Sequence, residues 1–366
     1  MSFSSCSSKD LEDRDNRGAA GQNDGAYRSR RLSERLKRMG LILLSSEANT
    51  DELTSLLWLG IPNHSPLFYR ADSWRIVLGY LHPVKSLRNQ TLSRKRNEYF
   101  EMCSKEYMKP SYTETELNLL KQVPGNTLHL VDLPRTNPSF KIFKDKRLQD
   151  CMERVLFVWS VRNPQSGYVQ GINDLLTLFV IVFLRPYINK FKFTIEDLSF
   201  LTDEHLREVE ADSFYCLSEI LSQLLDNYTE NQPGVYRSLK RLCDLVRRID
   251  NELYRHLEDV NVDFMQFPFR WMNCMLIREI PTDCSIRLWD TYISEIRNGM
   301  VTFHEYVSAA FLSCWSEQLM SMDYQHCLLF LQQLPTSNWT VKDIDTLISK
   351  AFVLKSAFHN SPSHLM

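Results

Sequence analysis

Along most of this chain, apolar residues return every three or four positions, the spacing that lines one face of an α-helix. Asp51-Glu-Leu-Thr opens like a cap and runs into Leu56, Leu57 and Leu59 before Gly60 and Pro62 stop it. Ser73–Leu81 reads as a second short helix, closed by His82-Pro83. Leu148, Cys151, Met152, Val155 and Trp159 fall on one stripe, which predicts an amphipathic helix over 148–161. Pro164 and Gly167 break that pattern, and Ile172–Leu184 is then apolar nearly all round, as a buried central helix would be. Further helices are predicted over 212–228, 234–249, 251–259, 267–279, 283–297, 302–319, 323–333 and 340–353. Alternating strand patterns with hairpin turns are essentially missing, so the expected fold is all-α, an array of many short helices without a significant β-sheet. No fixed-period repeat suggests a solenoid.

The ends read differently. Residues 1–26 are rich in Ser, Asp, Asn and Gly and have too few large apolar groups to offset the entropy of ordering. Residues 28–39 follow as a basic cluster with Leu32, Leu36 and Met39 at helical spacing. That cluster reads either as a short solvated helix or linker, or as a segment drawn to anionic membrane or switched by phosphorylation at Ser29 or Ser33. Residues 1–50 are therefore expected to form a disordered, basic tail, and 351–366 a C-terminal tail. The longest apolar run, Leu175–Leu184, is far shorter than the roughly 20 residues a membrane span needs. No signal-peptide layout, myristoylation site or prenylation box is evident. The expectation is a cytoplasmic protein without a transmembrane segment, whose membrane contact, if any, is peripheral.

With 43 basic and 45 acidic side chains, the chain offers no surplus of positive charge for nucleic acid. Its nine cysteines are odd in number, scattered and without a Cys-x-x-Cys pair, which points to reduced thiols and no metal site. No phosphate-cradling or dinucleotide-binding glycine loop is present. No nucleophile elbow, His-Glu-x-x-His or kinase loop set appears either. A nucleotide is thus not expected to bind to this chain by itself.

Two polar segments interrupt the helices. In Val131-Asp-Leu-Pro-Arg-Thr-Asn-Pro138, two prolines stiffen the backbone around Arg135. A guanidinium held on such a loop suits phosphate oxygens, or else serves a structural ion pair on a rigid connector. Asp132 is placed to orient the loop. In Ser166-Gly-Tyr-Val-Gln-Gly-Ile-Asn-Asp174, Gln170 stands at the start of the most apolar helix, and Gly171 permits close approach of another backbone. Tyr168 reads as a packed anchor, and Gln170, Asn173 and Asp174 read equally well as ordinary caps. Residues 136–146 can reach roughly 33 Å when extended. The helix that follows is about 21 Å long, so the two segments can meet.

These segments carry a family resemblance. HLVDLPRT resembles the Ile-x-x-Asp-x-x-Arg motif of the TBC domain family, GTPase-activating proteins for Rab GTPases, and SGYVQG its Tyr-x-Gln motif. LGIP and SWRIVLGYL upstream, with FRWMNCMLIREIP and IRLWD downstream, match in order over about residues 53–350. DLPRTNP with SGYVQGINDL looks most like the Golgi-associated branch. His129 departs from the usual Ile, for which altered packing is expected. The resemblance implies a TBC-type helical array in two subdomains, about 53–228 and 229–350. It implies that Arg135 and Gln170 act as fingers inserted into the active site of a GTP-bound Rab, with Asp132, Tyr168 and Gly171 in support. Arg70 and Asp290 match flanking patterns and would buttress the finger loop. GTP and Mg²⁺ would belong to the Rab, leaving this chain no cofactor of its own. It would then activate a partner's reaction rather than turn over its own substrate. A catalytically weak Rab-binding or Golgi scaffold protein is the alternative.

Overall fold

The computed structural model describes residues 30–107, 132–138 and 140–359. Fifteen α-helices make up the described chain: α1 (30–44), α2 (Thr50–Trp58), α3 (Leu67–Val77), α4 (Lys85–Glu106), α5 (Lys146–Arg162) and α6 (Ile172–Ile188) come first. They are followed by α7 (Asp203–Gln223), α8 (Pro233–Ile249), α9 (Asn251–Asp259), α10 (Phe269–Cys274) and α11 (Thr282–Ser294). The last four are α12 (Met300–Ser313), α13 (Ser316–Leu319), α14 (Tyr324–Gln332) and α15 (Val341–Phe358). Among the described residues there is no strand, only an isolated bridge between Glu47 and Val84. The all-α expectation is met.

Local chemistry sets the boundaries. Asn49 caps α2 through its side-chain oxygen, Asp145 caps α5, and Pro233 starts α8, where its missing N–H costs nothing. Helix α6 is buried along almost its whole length, from Ile172 to Arg185, and forms the axis of the molecule. Helices α3, α5 and α7 surround it, and α11 reaches it from the second half of the chain. One contiguous core runs from Met39 to Ala351.

Three features depart from the sequence reading. The chain is helical from residue 30, and Met39, Ile42 and Leu43 are buried, so the basic segment leads into the core rather than into a tail ending at 50. At the other end α15 continues to Phe358, past the expected boundary at 351. Helix α11 packs on α2, α3 and α6, so contacts cross the division expected near residue 228. His129, where altered packing was expected, lies outside the described residues, as do 1–26 and 360–366. No helix among the described residues is long and apolar enough to cross a membrane.

Candidate functional site

The loop before α5 begins with a single 3₁₀ turn, Leu133–Arg135, after which Thr136 adopts an extended conformation and donates its N–H to Leu133 at 3.1 Å. Arg135 ends this turn with its side chain exposed. Among the described residues, no ion pair or side-chain hydrogen bond engages its guanidinium. Between α5 and α6 the chain turns at Gly167 (φ +63°) and Gly171 (φ +110°), and Gln170 stands exposed between them, just ahead of α6. Arg135 and Gln170 line one cleft of about 420 Å³, together with Asp132, Asp174, Arg270 and Arg278. The two segments singled out in the sequence do converge.

What joins them is a set of buried hydrogen bonds. The Tyr168 hydroxyl donates to Asp132 Oδ2 at 2.9 Å. Burial, then the neighbouring Asp132 carboxylate, pushes the Tyr168 phenol well above its usual range, so it stays protonated as a donor. The Thr136 hydroxyl donates to the Asp132 carbonyl at 2.9 Å and accepts from Asn173 Nδ2 at 2.7 Å. Asn173 Oδ1 in turn accepts the Gly171 N–H at 3.1 Å. From the far side, Asn273 Nδ2 donates to the Gln170 carbonyl at 2.7 Å. Gly171 has to be glycine here for two reasons. Its φ is positive, and a Cβ would sit 2.7 Å from Asn273 Nδ2 and 3.2 Å from Cys274 Sγ.

The floor of the cleft is charged. Asp174 is buried and bound by Arg278, with Nε at 2.9 Å and Nη2 at 2.8 Å from its Oδ2. Burial raises the Asp174 carboxyl above the usual range, and Arg278 opposes that shift. Arg270 makes a two-pronged pair with the buried Glu279 at 2.6 and 2.9 Å. Among the described residues no three His, Cys, Asp or Glu side chains converge as metal ligands would.

Arg70 and Asp290 are also brought together, but elsewhere. Asp290 is fully buried, accepts from Arg70 Nε at 3.0 Å, from Trp74 Nε1 at 2.8 Å and from the Ile61 N–H at 2.8 Å, while Arg70 also binds the Ile61 carbonyl. These bonds run to the loop between α2 and α3 and not to residues 132–138. Asn273, Thr136 and Arg278 acquire site positions that sequence reasoning did not assign. The available signal was a lone amide in the apolar run of FRWMNCMLIREIP.

Residues 68–320 match the Rab-GTPase-TBC domain, which is more than half of the chain. The chain belongs to that family. This TBC domain is 42% identical over 338 residues to the GTPase-activating protein gyp1 of Schizosaccharomyces pombe, covering 92% of this chain and 64% of that protein. It is 41% identical over 337 residues to human TBC1 domain family member 22B, covering 91% of this chain and 64% of the relative. The chain thus spans somewhat less than two thirds of these relatives' length. The crystal structure of the Ypt/Rab-GAP domain of Gyp1p superposes with a TM-score of 0.81 at 38% identity, covering 89% of this chain and 99% of that one. The TBC domain of a Chlamydomonas flagellar RabGAP shares the fold at 16% identity, with a TM-score of 0.55.

Proposed function

We propose that this TBC domain is a GTPase-activating protein for Rab-family GTPases, supplying Arg135 and Gln170 in trans to a GTP-bound partner. The observation that carries this reading is the exposure of both side chains on one cleft, with the main chain beside each of them tied down. Arg135 neutralises charge that develops on the γ-phosphate oxygens and the leaving bridge. Gln170 orients the attacking water in place of the GTPase's own glutamine. GTP and Mg²⁺ belong to the Rab. An arginine lent in this way accelerates hydrolysis by about 10³–10⁵. At about 1.4 kcal/mol per decade, that corresponds to roughly 4–7 kcal/mol of transition-state stabilisation.

Single-turnover GTP hydrolysis across a panel of purified Rabs tests the reading. The full chain accelerates at least one of them, Arg135→Ala removes the acceleration by about three decades or more, and Gln170→Ala removes most of it. Circular dichroism of both variants stays native, because neither side chain is in the core. A chain that binds Rabs and accelerates none is a scaffold instead.

The likeness of DLPRTNP and SGYVQGINDL to the Golgi-associated branch of the family also supports placement at Golgi or other secretory membranes from the cytoplasmic side. Peripheral contact would come through 28–39. In α1, Arg30 and Lys37 are exposed, and Leu41 and Leu44 point outward further along the same helix. Arg30→Glu with Lys37→Glu should lower co-sedimentation with vesicles containing anionic phospholipid while leaving GTP hydrolysis in solution unchanged. Equal sedimentation of the variant and the parent chain removes the membrane role.

A further inference from the structure

Three of the bonds around the cleft end on main-chain atoms: the Gln170 carbonyl, the Gly171 N–H beside it and the Asp132 carbonyl three residues before Arg135. The Gln170 carbonyl is held by a side chain 103 positions away, Asn273, while the Gly171 N–H and the Asp132 carbonyl are held by the nearby side chains of Asn173 and Thr136. The guanidinium of Arg135 and the amide of Gln170 are left for solvent. A residue serving only to fill space would have no reason to aim at those three atoms.

Asn273 is the clearest case. It is buried on α10, and its own carbonyl is fixed by the hydroxyl of the buried Tyr228 at 2.8 Å. One end of its amide reaches Gln170 O. The other, Oδ1, is buried with no hydrogen-bond partner among the described residues. An unpaired buried oxygen is unfavourable, so an apolar side chain would suit the core better. The amide is explained by its donor end alone. Reversing it would set two oxygens against each other, so the acceptor at Gln170 also fixes its orientation. The second connection runs through Thr136, whose hydroxyl both accepts from Asn173 and donates to the Asp132 carbonyl, joining the start of α6 to the Arg135 turn.

We infer that Asn273 and the Thr136–Asn173 bridge are positioning residues that lock the two loops into one rigid unit, so that Gln170 is presented at a fixed reach from Arg135. The inference rests on the two-finger reading above. A flexible Gln170 would still dock against a partner GTPase, but its amide would spend less time where a water must be oriented. The loss would therefore fall on turnover rather than on affinity.

Asn273→Asp keeps the shape and replaces the donor by an oxygen that repels the Gln170 carbonyl. With the full chain and the Rab it accelerates best, kcat should fall on the order of tenfold to a hundredfold with KM changed by less than about twofold. Backbone hydrogen exchange in the peptide spanning 168–174 should speed up while the rest of α6 stays protected. Thr136→Val, which removes only the bridging hydroxyl, should act in the same direction, and Thr136→Ser should restore the parent behaviour. This pair carries the test if the aspartate variant does not fold. Unchanged kcat, a matching rise in KM, or unchanged exchange at 168–174 in folded variants overturns the inference. If the parent chain accelerates no Rab, the functional reading falls, and the exchange measurement alone decides whether the lock exists.

Discussion

Arg135 and Gln170 were legible because each is a polar residue on a stiff, irregular stretch next to a strongly periodic helix. The residues that hold them were not. Asn273 is one amide in an apolar run, and only the packing of α10 on α6 reveals that it meets Gln170, 103 positions away. Gly171 is intermediate, since the sequence suggested close approach of another backbone there and the structure supplies a side chain, Asn273, instead. Gly171→Ala should therefore be harmful twice over. The positive φ costs a non-glycine residue on the order of 1–3 kcal/mol. The added methyl also displaces the Asn273 amide. A thermal melt should show the lost stability, and GTP hydrolysis should fall even at temperatures where the variant is fully folded. Retention of full activity would mean that residue 171 can relax without moving Gln170.

Among the helices, α5 was recovered to within two residues at each end and α6 at its start, because their apolar patterns are strong, although α6 runs four residues past Leu184 to Ile188. Helix α4 escaped notice, although it spans 22 residues. Its sequence is mostly polar or charged, and of its side chains only Tyr99 and Cys103 are buried. It is secured instead by polar bonds to α7: Arg96 to Asp212 at 2.9 Å, and the Tyr99 hydroxyl to Glu210 at 2.7 Å. A helix predicted to reach residue 279 stops at Cys274 because Met275 and Leu276 adopt left-handed conformations, which no glycine or proline announces. Helix α12 carries a titration signature of its own. His304 is fully enclosed, with Nδ1 2.7 Å from the Tyr292 hydroxyl and Nε2 3.0 Å from the Trp271 carbonyl. Burial lowers its pKa from 6.5 to about 4. As pH falls below about 6.5, the unfolded chain takes up a proton that the folded chain refuses until about pH 4, so stability drains away across that window. The slope attributable to this one side chain approaches about 1.4 kcal/mol per pH unit. Chemical denaturation at pH 7 and at pH 5 should show a larger loss for the parent chain than for His304→Gln. Equal losses would show that the imidazole is not kept neutral by folding.

Across the whole molecule, α2 and α15 both pack on α11 and are joined at Glu295, just past its end. Arg35 of α1 donates to the Gly60 carbonyl at 2.7 Å, Trp58 of α2 donates to Glu295 at 2.9 Å, and Lys355 of α15 pairs with the same Glu295 at 3.0 Å. Asp290 stands at the centre of this closure. Removing one member of a buried, hydrogen-bonded pair leaves the other charge unsolvated and costs about 3–5 kcal/mol. Asp290→Ala should therefore lower the melting temperature substantially, while the specific activity of the fraction that remains folded stays near that of the parent. A loss of activity without a loss of stability would place Asp290 in the finger machinery after all.

The same carboxylate constrains when the chain can become itself. Its bonds to Ile61, Arg70 and Trp74 span 229, 220 and 216 residues. Synthesis at roughly 5–20 residues per second puts on the order of 10–40 s between the emergence of Trp74 and that of Asp290. For that interval the guanidinium of Arg70 and the indole of Trp74 have no carboxylate to bury against. The contacts around Ile61, Arg70 and Trp74 can therefore be completed only after Asp290 has been synthesised.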